Sequence, residues 1–359
     1  MGDVVTFQRG YDLPKAKMKE GSIPVAGSNG IIGYHNEFTT RGPGITIGRS
    51  GNIGTPKFYK KNFWAHNTVL YIKDFKENYE KFIFYFLHWF DFSGFNSGSA
   101  VPTLNRNHIQ EIPVIVPPPS EQRAIAEVLS SLDDKIDFLH WQNQTFEKMA
   151  EALWRKIFVE DADPSWKRGK LGDYITVKGG TTPCTTDPNL WDGNIPWTSP
   201  RDLSGSNKLF LHETERKITE KGLSQIGSGL LPIGTVLLSS RAPIGYLAIS
   251  NIPVAINQGY IAIICDSFFS NYYMYFWIKA NMELIIGSAN GSTFLEISKS
   301  VFKDLETEIP SESAINKFNS SVKNILYKIL TNEIQIRTLT RMRDTLLPKL
   351  MNGEIRVKL

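Results

Sequence analysis

Two stretches of the sequence place hydrophobic residues at alternating steps of three and four, the spacing of a coiled-coil helix. The seam positions of the first stretch are Ile125, Leu129, Leu132, Ile136, Leu139, Asn143, Phe146, Ala150, Leu153 and Ile157. Those of the second stretch are Ile315, Phe318, Val322, Ile325, Ile329, Asn332, Ile336, Leu339, Arg343 and Leu346. Each stretch predicts a helix of roughly 38 residues, or ~57 Å at 1.5 Å per residue. Two separate amphipathic surface helices are the alternative.

Each seam contains one asparagine, and the two asparagines suggest how the helices pair. If the helices run antiparallel, a register that places Asn143 opposite Asn332 also places Leu129 opposite Leu346. A buried seam asparagine needs a polar partner and can fix the register of a coiled coil. We therefore predict an antiparallel coiled coil in which the two amides are in contact. The alternative is that each asparagine lies at a frayed or solvated part of the seam.

Outside these helices, apolar residues occur in short runs separated by Gly, Pro and Asn, which is typical of β-strands. The clearest runs are residues 4–7, 44–48, 68–72 and 112–116, and then 174–177, 234–239 and 258–264. Aromatic residues at 82–90 and 272–280 predict one short helix in each region, packed on a sheet. The strands are too closely spaced for parallel βαβ crossovers, so the fold class is α+β with two twisted, β-rich heads.

The chain repeats its own pattern. Residues 2–7 (GDVVTF) return as 172–177 (GDYITV), and 112–121 (IPVIVPPPSE) are echoed by 305–312 (LETEIPSE). A repeat of this period indicates a duplicated head-plus-helix unit, with pseudo-two-fold symmetry if the helices are antiparallel. The predicted boundaries are a first head at 1–119, a first helix at 120–158, a linker at 159–169, a second head at 170–310, a second helix at 311–350 and a tail at 351–359.

The repeat is incomplete at the start of the first head. The second head opens with residues 166–171 (WKRGKL), and nothing in the sequence corresponds to them before Gly2. We expect that the reading frame starts late. The alternative is a first head that lacks this edge segment.

Composition narrows the class of protein. A chain of 359 residues with 41% hydrophobic and 21% charged residues is typical of two globular domains. It has no apolar run of ~20 residues and no signal-peptide pattern, so we expect no membrane span. Two cysteines, Cys184 and Cys265, indicate a reducing cytoplasm rather than a disulfide framework. The formal net charge of +4 permits nucleic-acid binding without arguing for it.

The sequence lacks the common motifs for nucleotide-dependent, methyl-transfer and nuclease chemistry. Residues 48–54 (GRSGNIG) look like a phosphate-binding loop but lack the Gly-Lys-Ser/Thr ending of a P-loop. The sequence has no Asn/Asp-Pro-Pro-Tyr/Phe run of an amino-methyltransferase and no Asp…Glu-x-Lys nuclease pattern. The six histidines lack the spacing of metal ligands, so no metal site is predicted.

The order of these features resembles the specificity subunit of type I DNA restriction–modification systems. The resemblance covers the whole chain and rests on residues 117–125 (PPPSEQRAI), 346–355 (LLPKLMNGEI) and 171–173 (LGD). The second helix departs from the family pattern, because it begins with residues 311–315 (SESAI) and lacks the usual Glu-Gln pair.

The resemblance implies a non-catalytic, cytoplasmic protein whose heads each recognise one half of a bipartite double-stranded DNA target. The paired helices would act as a ruler that fixes the spacer between the two halves. Two methyltransferase (M) subunits would dock on this chain, and restriction (R) subunits would join through them. S-adenosylmethionine, ATP and magnesium would belong to those partners, with no cofactor bound by this chain.

Residues suited to DNA contact lie in the loops of both heads, because bases are recognised by paired donors and acceptors and phosphates by cations. In the first head these are Arg41, Arg49, Ser50, Asn52, Lys57, Tyr59, Lys60, Lys61, Ser99, Thr103, Asn105 and Arg106. In the second head they are Lys178, Thr181, Thr182, Ser199, Arg201, Ser240, Arg241, Asn257, Gln258 and Thr293. We expect the loops at Arg49 and Arg241 to contact bases and the cluster at Lys60 to hold phosphates. Solvated loops that stabilise their own turns are the alternative.

Three aromatic residues of the first helix, Phe138, Trp141 and Trp154, lie off the heptad seam. An exposed aromatic face of this kind would suit a partner subunit. Two other functions stay open at this point. One is a structural coiled-coil rod whose heads bind protein, and the other is a divergent DNA methyltransferase or nuclease.

Overall fold

The computed structural model describes residues 1–95, 103–205, 208–291 and 295–358. The described chain forms two compact units, one made of Met1–Asp137 with Thr338–Leu359 and the other of Phe138–Arg337. The domain boundaries given above stay a prediction, because this division by compactness cuts both long helices.

The head of the first unit contains two sheets. Its strands are β1 (Thr6–Arg9), β2 (Ile23–Gly27), β3 (Gly30–His35), β4 (Gly44–Gly48), β5 (Pro56–Tyr59), β6 (Trp64–Ala65) and β7 (Val69–Asp74). The larger sheet is antiparallel with the order β1-β7-β4-β5, and the smaller has the order β3-β2-β6. The helices are α1 (Glu80–Trp89), α2 (Arg106–Gln110) and the long α3 (Pro119–Arg155).

The head of the second unit has more strands in the same arrangement. Its strands are β8 (Lys167–Lys170), β9 (Thr176–Gly179), β10 (Trp191–Thr198), β11 (Phe210–Leu211), β12 (Arg216–Ile218), β13 (Val236–Ser239), β14 (Leu247–Ser250), β15 (Ala255–Ile256), β16 (Tyr260–Ile264) and β17 (Glu306–Ile309). Its helices are α4 (Pro200–Leu203), α5 (Glu220–Leu223), α6 (Asn271–Ala280), α7 (Met282–Gly287), α8 (Lys299–Asp304) and the long α9 (Glu312–Met351).

The two heads share one topology. The order β9-β16-β13-β14 in the second head corresponds to β1-β7-β4-β5 in the first, with β11 added at the edge. The order β12-β10-β15 corresponds to β3-β2-β6, and in both small sheets the central strand runs parallel to its shorter neighbour. The predicted α+β class and the internal duplication are confirmed.

Each head packs its aromatic helix against the core, as the sequence predicts. Helix α1 buries Phe82 and Phe86, and α6 buries the side chains from Tyr273 to Ile278. A side chain from a long helix is hydrogen-bonded to the start of each aromatic helix. In the first unit the fully buried Gln122 of α3 accepts a hydrogen bond from the backbone N–H of Tyr79 at 2.9 Å. In the second unit Asn319 of α9 accepts one from the Ser270 hydroxyl at 2.6 Å.

Within the first unit, the described ends of the two long helices run antiparallel. Arg343 of α9 donates to the Asp133 carboxylate of α3 at 2.8 Å. Arg356, which follows α9, donates to Glu121 near the start of α3 at 2.6 Å. Residue numbers therefore rise along one segment as they fall along the other. None of the helices formed by the described residues has an apolar stretch long enough to span a membrane.

Within the second unit the pairing is also antiparallel, and the two seam asparagines meet. Asn332 is fully buried, and its side-chain N–H donates to Asn143 Oδ1 at 2.9 Å and to Gln142 Oε1 at 3.4 Å. Further along, the ring of Phe158 lies 5.4 Å from the ring of Phe318. The predicted antiparallel coiled coil is thus the arrangement found in each unit.

The strand predicted at residues 112–116 is not formed. In the second head the corresponding segment is β17, which pairs antiparallel with β8. In the part of the first head that the structure describes, residues 112–116 have no ladder partner, and Ile115 is 93% exposed. A run with strand-like composition becomes a strand only when a second strand satisfies its backbone groups, and Pro113 has no N–H to donate.

The prediction of an exposed aromatic face on α3 is wrong for Trp154. This residue is 5% exposed, and its ring lies 5.7 Å from Phe158 and 6.1 Å from Tyr273 in the core of the second unit. Phe138 and Trp141 are exposed, as expected, with ring centroids 6.1 Å apart. The heptad pattern identifies the helix seam but does not show which other helix faces the heads cover.

Candidate nucleic-acid interface

The loop after β4, which we call the Arg49 loop (residues 48–55), is held from both sides by backbone hydrogen bonds. The Arg49 N–H donates to Thr68 O at 2.9 Å, and the Arg49 carbonyl accepts from Leu104 N at 2.8 Å. Gly51 and Gly54 have φ angles of +80° and +75°, a conformation that favours glycine and makes the loop tight. Asn52 lies exposed in this loop, where it can meet a ligand.

A cleft of about 430 Å³ opens beside the Arg49 loop, and we call it the arginine cleft. It is lined by Arg9, Arg49, Leu70, Thr103, Leu104, Asn105 and Arg106. The structure therefore brings four predicted residues together and adds Arg9, which sequence reasoning missed. Arg9 ends a strand, whereas the predicted DNA contacts were expected in loops. The sequence signal that could have identified Arg9 is its position at the end of a strand, directly before Gly10 and the loop that follows.

A second group of predicted cations lies at the opposite end of β4. The pairing of Gly44 with Tyr59 and of Ile47 with Pro56 sets the direction of the two strands. Arg41, Lys60 and Lys61 are exposed at the Gly44 end, whereas Arg49 follows the other end. A strand of five residues separates the two groups by ~17 Å at about 3.4 Å per residue. The first head therefore offers two cationic patches rather than one.

The structure corrects the prediction for Tyr59. Its side chain is 9% exposed and stacks on Phe63 with ring centroids 4.5 Å apart, so it belongs to the core. Burial raises the pKa of the Tyr59 hydroxyl. Lys57, on the same strand, is exposed and stays available to a phosphate. Strand alternation places these two residues on the same face of β5, because they are two positions apart. The difference comes from packing, since the ring of Phe63 covers Tyr59.

In the second head, four of the predicted polar residues form one loop cluster. Thr182 Oγ1 donates to Gln258 Oε1 at 2.7 Å, and the Thr181 N–H donates to Ile256 O at 3.0 Å. The Asn257 N–H donates to Thr198 O at 3.0 Å, so the two loops are joined through the backbone. Exposed cations flank this cluster, with Lys178 on β9 and Arg201 on α4.

Two predicted serines of the second head have structural roles instead. Ser240 is 3% exposed, and its backbone is bonded to Gly259 O at 2.8 Å and to Ile297 N at 3.0 Å. Ser199 forms a reciprocal capping box with Asp202 at the start of α4. The prediction of base contact is therefore corrected for Ser240, which is closed off from solvent. Ser199 is engaged at the cap, because a serine there satisfies an otherwise unpaired N–H.

Both predicted arginines of the second head have carboxylate partners. Arg201 lies 3.5 Å from Glu215, and Arg241 lies 3.5 Å from Glu296. These ion pairs are substantially exposed, so each contributes about 0–1 kcal/mol to stability. An incoming phosphate can replace a carboxylate partner of this kind at small cost.

Backbone hydrogen bonds show which residues correspond in the loops that follow β4 and β13. Ser240, and not Arg241, occupies the position of Arg49, because each is bonded on both sides to the same neighbouring strands and segments. Arg241 corresponds to Ser50, and each forms an isolated bridge, to Glu296 and to Thr103 respectively. The framework is duplicated, and the side chains presented on it differ.

Two predicted contacts, Ser99 and Thr293, lie outside the described residues. Within the described ranges, no group of three or more His, Cys, Asp or Glu side chains is arranged to hold a metal ion. Another exposed cation that sequence reasoning missed is Arg216, whose guanidinium lies 3.4 Å above the ring of Trp191. Its strand, β12, is at the edge of the small sheet.

Two α+β heads of one topology, each with cations and amides in its loops and each packed on antiparallel helices, define a duplicated recognition protein. The family model of the type I restriction modification DNA specificity domain matches residues 1–148 and again residues 164–339. The chain belongs to this family.

Individual relatives support the same family. The chain is 38% identical over 169 residues to the type I restriction enzyme MjaIX specificity subunit of Methanocaldococcus jannaschii, covering 45% of this chain and 39% of that relative. It is 23% identical to the HindI specificity subunit of Haemophilus influenzae, covering 71% of each chain. It is 25% identical to the EcoR124I/EcoR124II specificity subunit of Escherichia coli, covering 94% of this chain and 90% of the relative.

A solved structure shares the fold. The crystal structure of the type I restriction–modification system S subunit from M. genitalium matches with a TM-score of 0.66 and 19% sequence identity. The match covers 98% of this chain and 94% of that one. The match to the MjaIX subunit, by contrast, spans well under half of that relative's length.

Proposed function

We propose that this chain is the DNA sequence-specificity subunit of a type I restriction–modification complex, in which each head recognises one half of a bipartite duplex target. The observation that carries the proposal is the family match, which occurs twice, once over each head. The equivalent loop positions support two different half-sites, because Arg49 and Ser50 in one head correspond to Ser240 and Arg241 in the other.

The long helices serve as the spacer between the half-sites and as a platform for two M subunits, with R subunits joining through them. The helix pairing supports the spacer role, since Asn332 and Asn143 define one register. S-adenosylmethionine, ATP and magnesium act in those partners, and this chain contributes recognition without catalysis.

The exposed pair Phe138 and Trp141 on α3 is the proposed contact for an M subunit. Their side chains are 47% and 62% exposed, and their rings lie 6.1 Å apart. Large aromatic side chains that remain exposed on a rigid helix are typical of interface anchors.

Methylome sequencing of the host with and without this gene tests the proposal. We expect one bipartite methylated motif to disappear when the gene is deleted and to return on complementation. The lost motif would define both half-sites and the spacer length. A methylome that does not change in a host whose M subunit is active would contradict the assignment and favour a structural rod.

The division of labour with the M subunit needs its own measurement. Purified chain alone, incubated with duplex DNA and labelled S-adenosylmethionine, is expected to transfer no methyl groups. Adding the M subunits is expected to start transfer at the motif. Transfer by the chain alone would point to a divergent methyltransferase instead.

A further inference from the structure

The arginine cleft groups several positive charges in a way that does not stabilise the folded head. Three of its lining residues, Arg9, Arg49 and Arg106, are cations, and no carboxylate lines it in the described part of the chain. Residues 96–102 immediately precede the lining residue Thr103 and contain no Asp or Glu in sequence. The cleft floor includes Leu70 and Leu104, each 1% exposed. Like charges held together over an apolar floor repel one another.

Two other arginines of the first unit have carboxylate partners. Arg343 is bonded to Asp133 and Arg356 to Glu121, and these contacts raise the pKa of each arginine. Arg49 shows the opposite effect, because burial and then the charge of Arg9 lower the pKa of its guanidinium. An arrangement that disfavours its own charge becomes favourable when an anion binds.

The geometry of Arg49 fits an anion that enters the cleft. Its Nε–H donates to the backbone carbonyl of Asn67 at 3.0 Å, so the guanidinium is oriented by the fold. No hydrogen bond to its two terminal amino groups is found within the described residues, and a guanidinium binds a phosphate best through paired N–H donors. The arginine cleft is concave, so its lining residues cannot reach into a DNA groove. The cleft can instead receive a group that projects outward from the duplex, and the backbone phosphodiesters are such groups.

We propose that the arginine cleft binds one backbone phosphodiester on the half-site of the first head, and that Arg49 therefore positions the DNA rather than reading a base. The inference rests on the proposed function and names a subsite within it. Base recognition in this loop then falls to Ser50, which follows Arg49, and to exposed Asn52 two positions further on.

The second head has no equivalent of the arginine cleft among its described residues. Gly179 ends β9 where Arg9 ends β1, and buried Ser240 stands in the position of Arg49. Lys299 begins α8 as Arg106 begins α2, and its Nζ lies 2.9 Å from where a Cβ on Gly179 would be. One lysine thus fills the space that three arginines leave open in the first head. The phosphate contact proposed for the arginine cleft is therefore specific to the first head.

The test uses the chain in complex with its M subunits and measures duplex affinity by fluorescence anisotropy at several KCl concentrations. The probes are the motif found by methylome sequencing and a random duplex of equal length. For Arg9→Ala and for Arg49→Ala, we expect weaker binding of both duplexes by about tenfold, the size of one charge-assisted contact. The slope of log affinity against log salt is expected to become shallower by ~0.9, the value for one phosphate.

Matched variants separate charge from folding. Arg9→Lys keeps one positive charge and should retain the salt slope while losing part of the affinity. Lys73→Ala removes an exposed cation on β7, outside the cleft, and should change neither quantity. A neutral methylphosphonate linkage at one position in the first half-site should weaken the wild-type complex and have no further effect on Arg9→Ala.

The outcomes distinguish this inference from the proposed function. If the wild-type complex does not discriminate between motif and random duplex, the proposed function fails. If the wild-type complex discriminates, and Arg49→Ala loses affinity only for the motif, then Arg49 contacts a base. That result would refute phosphate binding by the arginine cleft. Unchanged DNA binding by Arg9→Ala, together with loss of inorganic phosphate or ATP binding in calorimetry, would assign the cleft to a free phosphate compound and also overturn the inference.

Discussion

Two tryptophans on one helix show how burial decides the role of a side chain. Trp141 is 62% exposed beside Phe138, whereas Trp154 is 5% exposed between Phe158 and Tyr273. Both residues lie off the seam of α3, so their spacing in sequence does not separate them. The head of the second unit covers Trp154 and leaves Trp141 exposed. Truncating the first should therefore affect stability, and truncating the second should affect partner binding.

Truncating each tryptophan should therefore affect different measurements. Trp154→Ala is expected to lower the free energy of unfolding by about 3–5 kcal/mol, the usual cost of removing a large buried aromatic ring. Trp141→Ala should change it by less than about 0.5 kcal/mol but reduce co-purification with the M subunits. Urea denaturation and pull-down assays test the pair. Unimpaired M binding by Trp141→Ala would rule out the proposed contact.

The two cysteines should differ in reactivity because only the thiolate is nucleophilic. Burial raises the pKa of Cys265 to about 12, so this residue stays protonated at neutral pH. Cys184 is exposed, and a hydrogen bond from Thr186 lowers the pKa of its thiol. Alkylation by iodoacetamide at pH 8 should therefore modify Cys184 and spare Cys265 until the unit unfolds. Mass spectrometry of the labelled peptides checks this, and early labelling of Cys265 would contradict its raised pKa.

At the scale of elements, polar contacts join each aromatic helix to a long helix. The Tyr85 hydroxyl of α1 donates to Asp133 at 2.6 Å, and the Tyr275 hydroxyl of α6 donates to Glu147 at 3.0 Å. Both acceptors lie on α3, and burial is the largest cause of the raised pKa of each tyrosine. In the second unit, buried Glu333 of α9 adds a hydrogen bond from the backbone N–H of Leu209 at 2.8 Å. These contacts set the orientation of each head on its own helices.

The seam asparagines give a prediction about register. Replacing both, as Asn143→Leu with Asn332→Leu, removes a fully buried amide and its half-buried partner from an apolar seam. The double variant should raise the thermal midpoint by about 2–4 °C per kcal/mol gained. The register should become less strictly defined. Crosslinking of cysteines placed at Ile136 and Leu339 should then lose its preference over cysteines at Ile136 and Leu346. A lower midpoint would show that the asparagines stabilise the seam rather than specify it.

At the scale of the whole molecule, duplication gives two heads of one framework, which in the proposed function carry two specificities. The β-sheet order and the aromatic helix repeat, whereas the loop residues that face a ligand do not. Two heads that present different side chains at equivalent loop positions can change independently.

This independence predicts separable half-sites. Asn52→Ala in the first head and Gln258→Ala in the second should each reduce discrimination at one base pair by about 1–3 kcal/mol. Each variant should relax its own half of the methylated motif and leave the other half unchanged, so that each is the control for the other. Methylome sequencing of hosts carrying the variants gives the answer. Relaxation of both halves by one variant would contradict independent recognition.

Much of the fold could be predicted from sequence because its signals are local. Heptad spacing over α3 and α9 depends on residues three or four positions apart, and so do the aromatic helices α1 and α6. Strand β4 was predicted with its observed bounds from its own apolar run. Residues 112–116 failed the same kind of prediction because a strand also needs a partner, which is a non-local condition.

The candidate site was less predictable, since burial and proximity come from packing. Composition alone does not distinguish exposed Lys57 from buried Tyr59 two positions later. It also does not show that Arg106 lines an open cleft, whereas Lys299 at the equivalent helix start lies against Gly179. Arg9 and Arg106 are 97 positions apart, and they line one cleft only because β1 pairs with β7 and the chain returns beside the Arg49 loop.

The sequence by itself determined the duplicated α+β plan and the two long helices, because periodic patterns act within a few residues of each position. It also predicted the register in which Asn143 meets Asn332, because a buried seam amide needs a polar partner. Only the tertiary structure decided which loop residues are available to DNA. It buried Ser240 and Tyr59, and it assembled Arg9, Arg49 and Arg106 around one cleft. The reason is that the position of a side chain relative to solvent and to distant charges depends on how the strands and helices pack together.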